Sequence, residues 1–235
     1  SSSLATQPNE HKLSSKPPLT IANLGFWLKL AEILAKPWLV VRQLNYQTKK
    51  EWLVAAGKIE KRSIENMKLG VLALQGDFRE HRLSLEKLGA DVYEARLPEH
   101  LDGLSGLIIP GGESTAIGKL MVAYGLLESI REFGQKKAIW GTCAGAILLA
   151  RNVGSHQPLL NLMDITIQRN AFGRQIDSFE IDLPVPFLSP SQPDYHLTFI
   201  RGPIITEVYG GAQPLLSLPD GRIIAAQQGK LLATS

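Results

Sequence analysis

The cysteine at position 143 constrains this chain more than any other residue. It is the only cysteine among 235 residues and lies in Gly141-Thr142-Cys143-Ala144-Gly145, directly after the run 137–140. A strand that ends here, turns at the thiol and continues as a helix from Ala144 would form a nucleophile elbow. The small flanking residues suit the strained backbone that such an elbow needs. A buried apolar cysteine is the alternative, which these neighbours disfavour.

The same position predicts a reactive thiol. The free N–H groups and the dipole at a helix N-terminus stabilise a negative charge. We therefore expect the thiolate form of Cys143 to be favoured.

The rest of the chain predicts a doubly wound α/β sheet, because strand and helix patterns alternate from Met67 onward. Ligands of open parallel sheets bind beyond the carboxyl ends of the strands, and Gln75, Gly112 and Cys143 all fall there. We expect these three residues to converge on one edge of the sheet. Three helices are predicted: one that begins at Phe78, one over 116–133 and one over 144–151. The predicted strands are 69–74, 92–95, 104–109, 137–140, 162–168, 178–183, 196–200, 204–208, 214–217, 222–227 and 230–233.

The loop after the third predicted strand reads Pro110-Gly111-Gly112-Glu113-Ser114. Its backbone N–H groups, with that of Ala144, are suited to stabilise the oxyanion that forms when a thiolate attacks a carbonyl. An ordinary glycine turn that caps a helix is the alternative. The combination with the cysteine elbow favours the oxyanion hole.

Charge divides the chain into two parts. Residues 1–66 carry 10 Lys and Arg against 5 Asp and Glu, whereas residues 67–235 carry the remaining 15 of 25 and 17 of 22. The nearly neutral second part gives no reason to expect nucleic acid as a partner. A single cysteine excludes an internal disulfide framework and favours a reducing compartment, here the cytoplasm.

Residues 1–66 are expected to be an extension in front of a folded domain at 67–235. Residues 1–18 have a disordered composition, and 19–41 carry too many charges for a membrane span, so they predict a short amphipathic helix instead. Three origins remain open: a targeting peptide, an accessory arm, or upstream sequence translated through a misassigned start.

Five segments together resemble class I glutamine amidotransferases, and within them the glutaminase subunits of pyridoxal 5'-phosphate synthases. The resemblance runs from about Met67 to Ser235. The cysteine elbow and the Gly-Gly-Glu loop are shared across amidotransferases, whereas the other segments point to the vitamin B6 branch. The matching segments are 72–81, 110–115, 141–145, 169–175 and 199–203.

The resemblance implies a role for each matching residue. Cys143 would attack the side-chain amide of glutamine, releasing ammonia, and water would then release glutamate from the thioester. Gly112 and Ala144 would form the oxyanion hole, and Gln75 would lie at the interface with the synthase subunit. The residues implied to bind glutamine are Gly112, Glu113, Ser114, Arg169, Ile200 and Arg201.

The family supplies the base for the thiol from a His-Pro-Glu motif shortly after the strand that here reads 231–235. The resemblance therefore places the His and Glu of the triad after Ser235, where the sequence stops. Either the sequence is an incomplete copy of an active enzyme, or the chain ends here and has lost its base. The histidines present, none of which occupies the triad position, are His11, His81, His100, His156 and His196.

The implied activity is hydrolysis of L-glutamine, with the ammonia passed to a synthase subunit in a large hetero-oligomer that makes pyridoxal 5'-phosphate. No metal and no bound cofactor are expected. Two alternatives remain at this point: a catalytically silent module that binds the synthase, and a class I amidotransferase that serves another acceptor.

Overall fold

The computed structural model describes residues 67–87, 89–169, 179–184, 194–199 and 202–235. The predicted features of residues 1–66, including the helix within 19–41, lie outside these ranges. So do two of the residues implied to bind glutamine, Ile200 and Arg201.

The described residues form strands and helices in the alternating order that the sequence predicts. The helices are α1 Phe78–Lys87, α2 Ser114–Ala123, α3 Leu126–Lys136 and α4 Ala144–Leu149, with a short 3-10 helix at Pro98–Leu101. The strands are β1 Lys68–Leu72, β2 Asp91–Ala95, β3 Gly106–Ile109, β4 Ala138–Thr142, β5 Ala150–Asn152, β6 Met163–Gln168, β7 Phe179–Leu183, β8 Tyr195–Phe199, β9 Ile204–Val208, β10 Gln213–Ser217, β11 Ile223–Gln228 and β12 Leu231–Thr234.

The large sheet has a parallel half and a mixed half. Its strand order is β2-β1-β3-β4-β12-β11-β9-β6-β5, with β10 paired to β11. The first five strands are all parallel to one another, which is the flavodoxin-like order with a switch point between β1 and β3. The doubly wound fold class is confirmed.

Apolar side chains cover both faces of the parallel half. One cluster joins the sheet to α2, α3 and α4 through buried residues such as Ile117, Ile130 and Leu148. A second cluster lies on the other face, where Leu85 of α1 meets Val71 and Trp140. Because both faces are buried, these strands are nearly continuous apolar runs, and β3 is buried at all four residues.

Two predicted helices have different ends in the structure. The predicted helix 116–133 is two helices, because Gly125 adopts a left-handed conformation with φ 70° between α2 and α3. The predicted helix 144–151 stops at Leu149, and Ala150 begins β5, which pairs with β6. A short buried apolar run does not distinguish a helix from a strand by its pattern alone.

Strands β7 and β8 form a separate two-stranded sheet. They pair antiparallel with each other and not with the large sheet. Leu183 and Phe199 are buried against Ile204, Leu218 and Ile224, so a third apolar cluster joins the small sheet to the mixed half.

Candidate active site

Cys143 forms a strained elbow between β4 and α4. Its φ of 48° and ψ of −102° lie where side-chain-bearing residues are rarely found. Its N–H donates to the carbonyl of Thr234 at 2.8 Å, and its carbonyl accepts from the N–H of Ile147 at 3.2 Å. The strained turn predicted from the flanking glycines is confirmed.

Close packing explains why small residues surround the thiol. A Cβ added to Gly145 would lie 2.0 Å from the carbonyl oxygen of Ile109. Only a glycine at this position lets the start of α4 lie directly against the end of β3. The thiol is thereby held next to the loop that follows β3.

The electrostatics of the thiol differ from the sequence expectation. Burial raises the pKa of Cys143 above its ordinary value, the N–H of Ala144 lowers it by donating to the sulfur, and the negative charge of Asp77 raises it. Burial has the largest effect, since the thiol is partly enclosed and its charged form loses solvation. The expectation of a favoured thiolate in this structure is therefore wrong, and the thiol needs a proton acceptor to react.

The loop after β3 lies against both the thiol and the loop after β1. A Cβ added to Gly111 would lie 3.7 Å from the Cβ of Cys143. The N–H of Asp77 donates to the carbonyl of Gly111 at 3.0 Å, and the N–H of Glu113 donates to Oε1 of Gln75 at 2.8 Å. The predicted convergence of Gln75, the Gly112 loop and Cys143 is confirmed.

Arg169 reaches this loop from the end of β6. Its Nη2 contacts Oε1 of Glu113 at 2.9 Å, and its Nη1 donates to Oγ1 of Thr115 at 3.2 Å. The other carboxylate oxygen of Glu113 accepts from the N–H of Ala116 at 2.7 Å and so caps α2. The structure thus brings together Arg169, Glu113 and the first turn of α2.

Gln157 joins the same network, although no feature of the sequence predicted it. Its Oε1 accepts from Arg169 Nη1 at 2.9 Å, from Thr115 Oγ1 at 3.0 Å and from the buried Ser114 Oγ at 3.3 Å. It lies in the irregular segment between β5 and β6, outside every motif and every periodic pattern. Its residue type alone does not identify it as a site residue.

His81 is a second residue whose position the sequence did not predict. Its Nε2 lies 3.2 Å from Oγ1 of Thr142, the residue before the nucleophile, and its ring packs edge-on against Trp140 with centroids 6.1 Å apart. Burial lowers the pKa of His81 to about 4, against a smaller opposing effect of Glu80. The imidazole is therefore neutral at pH 7 and supports the strand below the elbow.

Comparison with known proteins places this geometry in a family. The model of the SNO glutamine amidotransferase family matches residues 71–235, which include the cysteine elbow, the Gly112 loop and Arg169. The chain belongs to the SNO glutamine amidotransferase family. The match begins within β1 and runs through β12.

Two similar relatives carry the same name. A pyridoxal 5'-phosphate synthase subunit PdxT from Herpetosiphon aurantiacus is 54% identical over 174 residues, covering 72% of this chain and 90% of the relative. A protein of the same name from Roseiflexus sp. is 50% identical over 172 residues, with the same coverage.

Solved structures agree with the SNO family assignment. A crystal structure of a glutamine amidotransferase superposes with a TM-score of 0.64 at 45% identity, covering 71% of this chain and 87% of the other. PurLQS from Thermotoga maritima shares the fold, with a TM-score of 0.52 at 18% identity. In the described part of the chain, no helix has the length and apolar character needed to cross a membrane.

Proposed function

We propose that this chain is the glutaminase subunit of a pyridoxal 5'-phosphate synthase, hydrolysing L-glutamine to glutamate and ammonia. The observation that carries the proposal is the strained Cys143 held against the Gly111-Gly112 loop in an SNO family chain. The relatives named PdxT favour pyridoxal 5'-phosphate synthesis as the use of the ammonia, over the acceptor of another class I amidotransferase. The ammonia passes to the partner synthase subunit.

Cys143 is the proposed nucleophile. Its sulfur attacks the side-chain amide carbon of glutamine, the carbon–nitrogen bond of the tetrahedral intermediate breaks, and ammonia leaves with a proton. Water then attacks the glutamyl thioester, releasing glutamate and restoring the thiol. Because burial raises the pKa of Cys143, a base must accept the thiol proton during the first attack.

The base of the triad remains predicted for a His, oriented by a Glu, beyond Ser235. The course of β12 supports this placement, since Thr234 pairs with Thr142 in the parallel register and its carbonyl accepts from the N–H of Cys143. A His that followed this strand closely would start from the edge of the sheet where the thiol lies.

The proposed oxyanion hole consists of the N–H groups of Gly112 and Ala144. Ala144 already directs its N–H at the sulfur, and Gly112 has the φ of 151° that a glycine adopts readily. Fixed backbone donors of this kind stabilise the negative charge of the tetrahedral intermediate without reorganising.

Glutamine binding is assigned to Gly112, Glu113, Ser114, Arg169, Ile200 and Arg201. Support for Arg169 comes from its planar fork, which suits carboxylates and here contacts Glu113. The hydroxyl of Ser114 is buried and bonded to Gln157, so Ser114 contacts substrate through its backbone in this proposal.

Gln75 is the proposed contact to the synthase subunit. Its side chain accepts from the N–H of Glu113, so a partner that moves Gln75 also moves the Gly112 loop. We also propose the cytoplasm as the location, in keeping with the single cysteine.

Replacement of the nucleophile tests the proposal. In a protein that carries the predicted His and Glu after Ser235, mixed with a pyridoxal 5'-phosphate synthase subunit, Cys143→Ala should lower glutamate release by at least about 10³-fold, because the covalent step is lost. The variant should still co-elute with the synthase subunit, since Cys143 is not assigned to that interface. Retained turnover in Cys143→Ala would refute the mechanism, and a wild-type chain that releases no glutamate would refute the proposed function.

A further inference from the structure

The side-chain oxygen of Gln157 joins two segments that carry residues of the proposed glutamine site. It accepts from Arg169 at the end of β6 and from Thr115 and Ser114 in the first turn of α2. These donors belong to segments more than 40 residues apart in sequence. One neutral oxygen therefore sets the distance between Arg169 and the start of α2.

Arg169 depends on this oxygen for its orientation. Its Nη1 donates to Gln157 and to Thr115, while its Nη2 is directed at the carboxylate of Glu113. Two contacts on one side of the guanidinium fix its plane, and the plane then determines how the fork meets a carboxylate. Without the Gln157 oxygen, only the longer contact to Thr115 would hold Nη1.

The segment that carries Gln157 has other attachments to the fold. The N–H groups of Leu160 and Leu162 donate to the carbonyls of Leu148 and Leu149 at 2.7 and 3.0 Å. The guanidinium of Arg131 donates to the carbonyls of Leu159 and Leu160. Since these bonds are independent of the Gln157 side chain, the segment stays in place when that side chain changes.

The amide nitrogen of Gln157, unlike the oxygen, holds no other residue in place. It is buried and has no hydrogen-bond partner among the described residues. An amide in this position leaves a donor unsatisfied, which costs free energy. The useful part of the side chain is its acceptor oxygen.

We propose that Gln157 is a positioning residue of the glutamine site: its side-chain carbonyl oxygen fixes Arg169 and the end of the Gly112 loop in the geometry that binds the substrate. The inference rests on the proposed function and adds a residue that none of the family segments contains. Gln157 acts through Arg169 and Glu113 and does not take part in the thioester chemistry.

Three variants separate this role from a general effect on the fold. Gln157→Met keeps the length of the side chain and removes the acceptor. Gln157→Glu keeps an acceptor oxygen and replaces the unsatisfied amide group. Gln168→Met is the matched control, because Gln168 is an exposed glutamine next to Arg169 whose side chain holds no part of this network.

Two measurements apply to the protein that carries the predicted His and Glu after Ser235, in complex with the synthase subunit. Steady-state glutaminase kinetics give KM and kcat. The glutamine concentration that protects Cys143 from iodoacetamide gives a second measure of glutamine binding, and Cys143 is the only cysteine in the sequence. For Gln157→Met we expect KM and the protecting glutamine concentration to rise about tenfold, with kcat within about threefold of wild type.

Gln157→Glu should restore both values to within about threefold of wild type, and Gln168→Met should match wild type throughout. The inference is overturned if Gln157→Met behaves like Gln168→Met, or if Gln157→Glu is as impaired as Gln157→Met. A wild-type chain that shows glutamine protection but no turnover would count against the proposed function, while the protection assay would still decide the role of Gln157.

Discussion

At the scale of single residues, the environment of Cys143 shows that the elbow positions the thiol but does not activate it. The elbow supplies geometry, with a φ of 48° at the turn between β4 and α4. It does not supply a thiolate, because burial raises the pKa of the thiol by more than the hydrogen bond from the N–H of Ala144 lowers it. Reactivity therefore depends on a neighbouring base, and the elbow alone does not define an active enzyme.

His81 predicts a pH dependence of stability. Burial lowers its pKa to about 4 from the ordinary 6.5, so the unfolded chain takes up a proton at a higher pH than the native protein does. Its contribution is complete above pH 6.5 and is lost as the pH falls towards about 4. The loss amounts to roughly 2 to 3 kcal/mol of the free energy of unfolding.

Urea unfolding of wild type, His81→Gln and His156→Gln at pH values between 4 and 7 measures this effect. His156, on an exposed loop, serves as the control. The free energy of unfolding should fall less steeply with acidity in His81→Gln than in wild type, whereas His156→Gln should follow wild type. Identical pH slopes for all three proteins would show that His81 is not held neutral by the fold.

At the scale of elements, the sequence predicted the identity of most strands and missed local interruptions. Strands such as β9 and β11 lie within two residues of their predicted bounds, because buried runs end at turn residues. The division between α2 and α3 was missed, since apolar spacing continues across Tyr124 and Gly125. Strand β5 was missed because its pairing with β6 is a tertiary contact.

Gly125 gives a test of that division. Its φ of 70° favours a residue that tolerates the left-handed region, and the nearest atom to an added Cβ is 3.9 Å away, so space is not limiting. Gly125→Ala should lower the free energy of unfolding by about 1 kcal/mol, and Gly125→Asn should lower it less. Urea unfolding of both variants measures the difference, and an alanine variant as stable as the asparagine variant would contradict it.

At the scale of the whole molecule, the candidate site is a product of topology. Segments that follow β1, β3 and β4 meet because parallel strands end at one edge, beside the switch point between β1 and β3. That rule was sufficient to predict the meeting of Gln75, Gly112 and Cys143. It could not place Gln157, which reaches the site from an irregular segment where neither periodicity nor residue type marks a position. The family's His and Glu stay predictions.

The same topology favours a domain at 67–235 that folds without residues 1–66. The family match covers 71–235, and the described apolar clusters join both sheet faces to helices within that range. We therefore expect a chain that begins at Met67 to unfold cooperatively, with a free energy of unfolding within about 1 kcal/mol of the full chain. Glutamine should protect Cys143 equally in both. An accessory arm that packs on the domain predicts the opposite: a lower free energy of unfolding and weaker protection once residues 1–66 are removed.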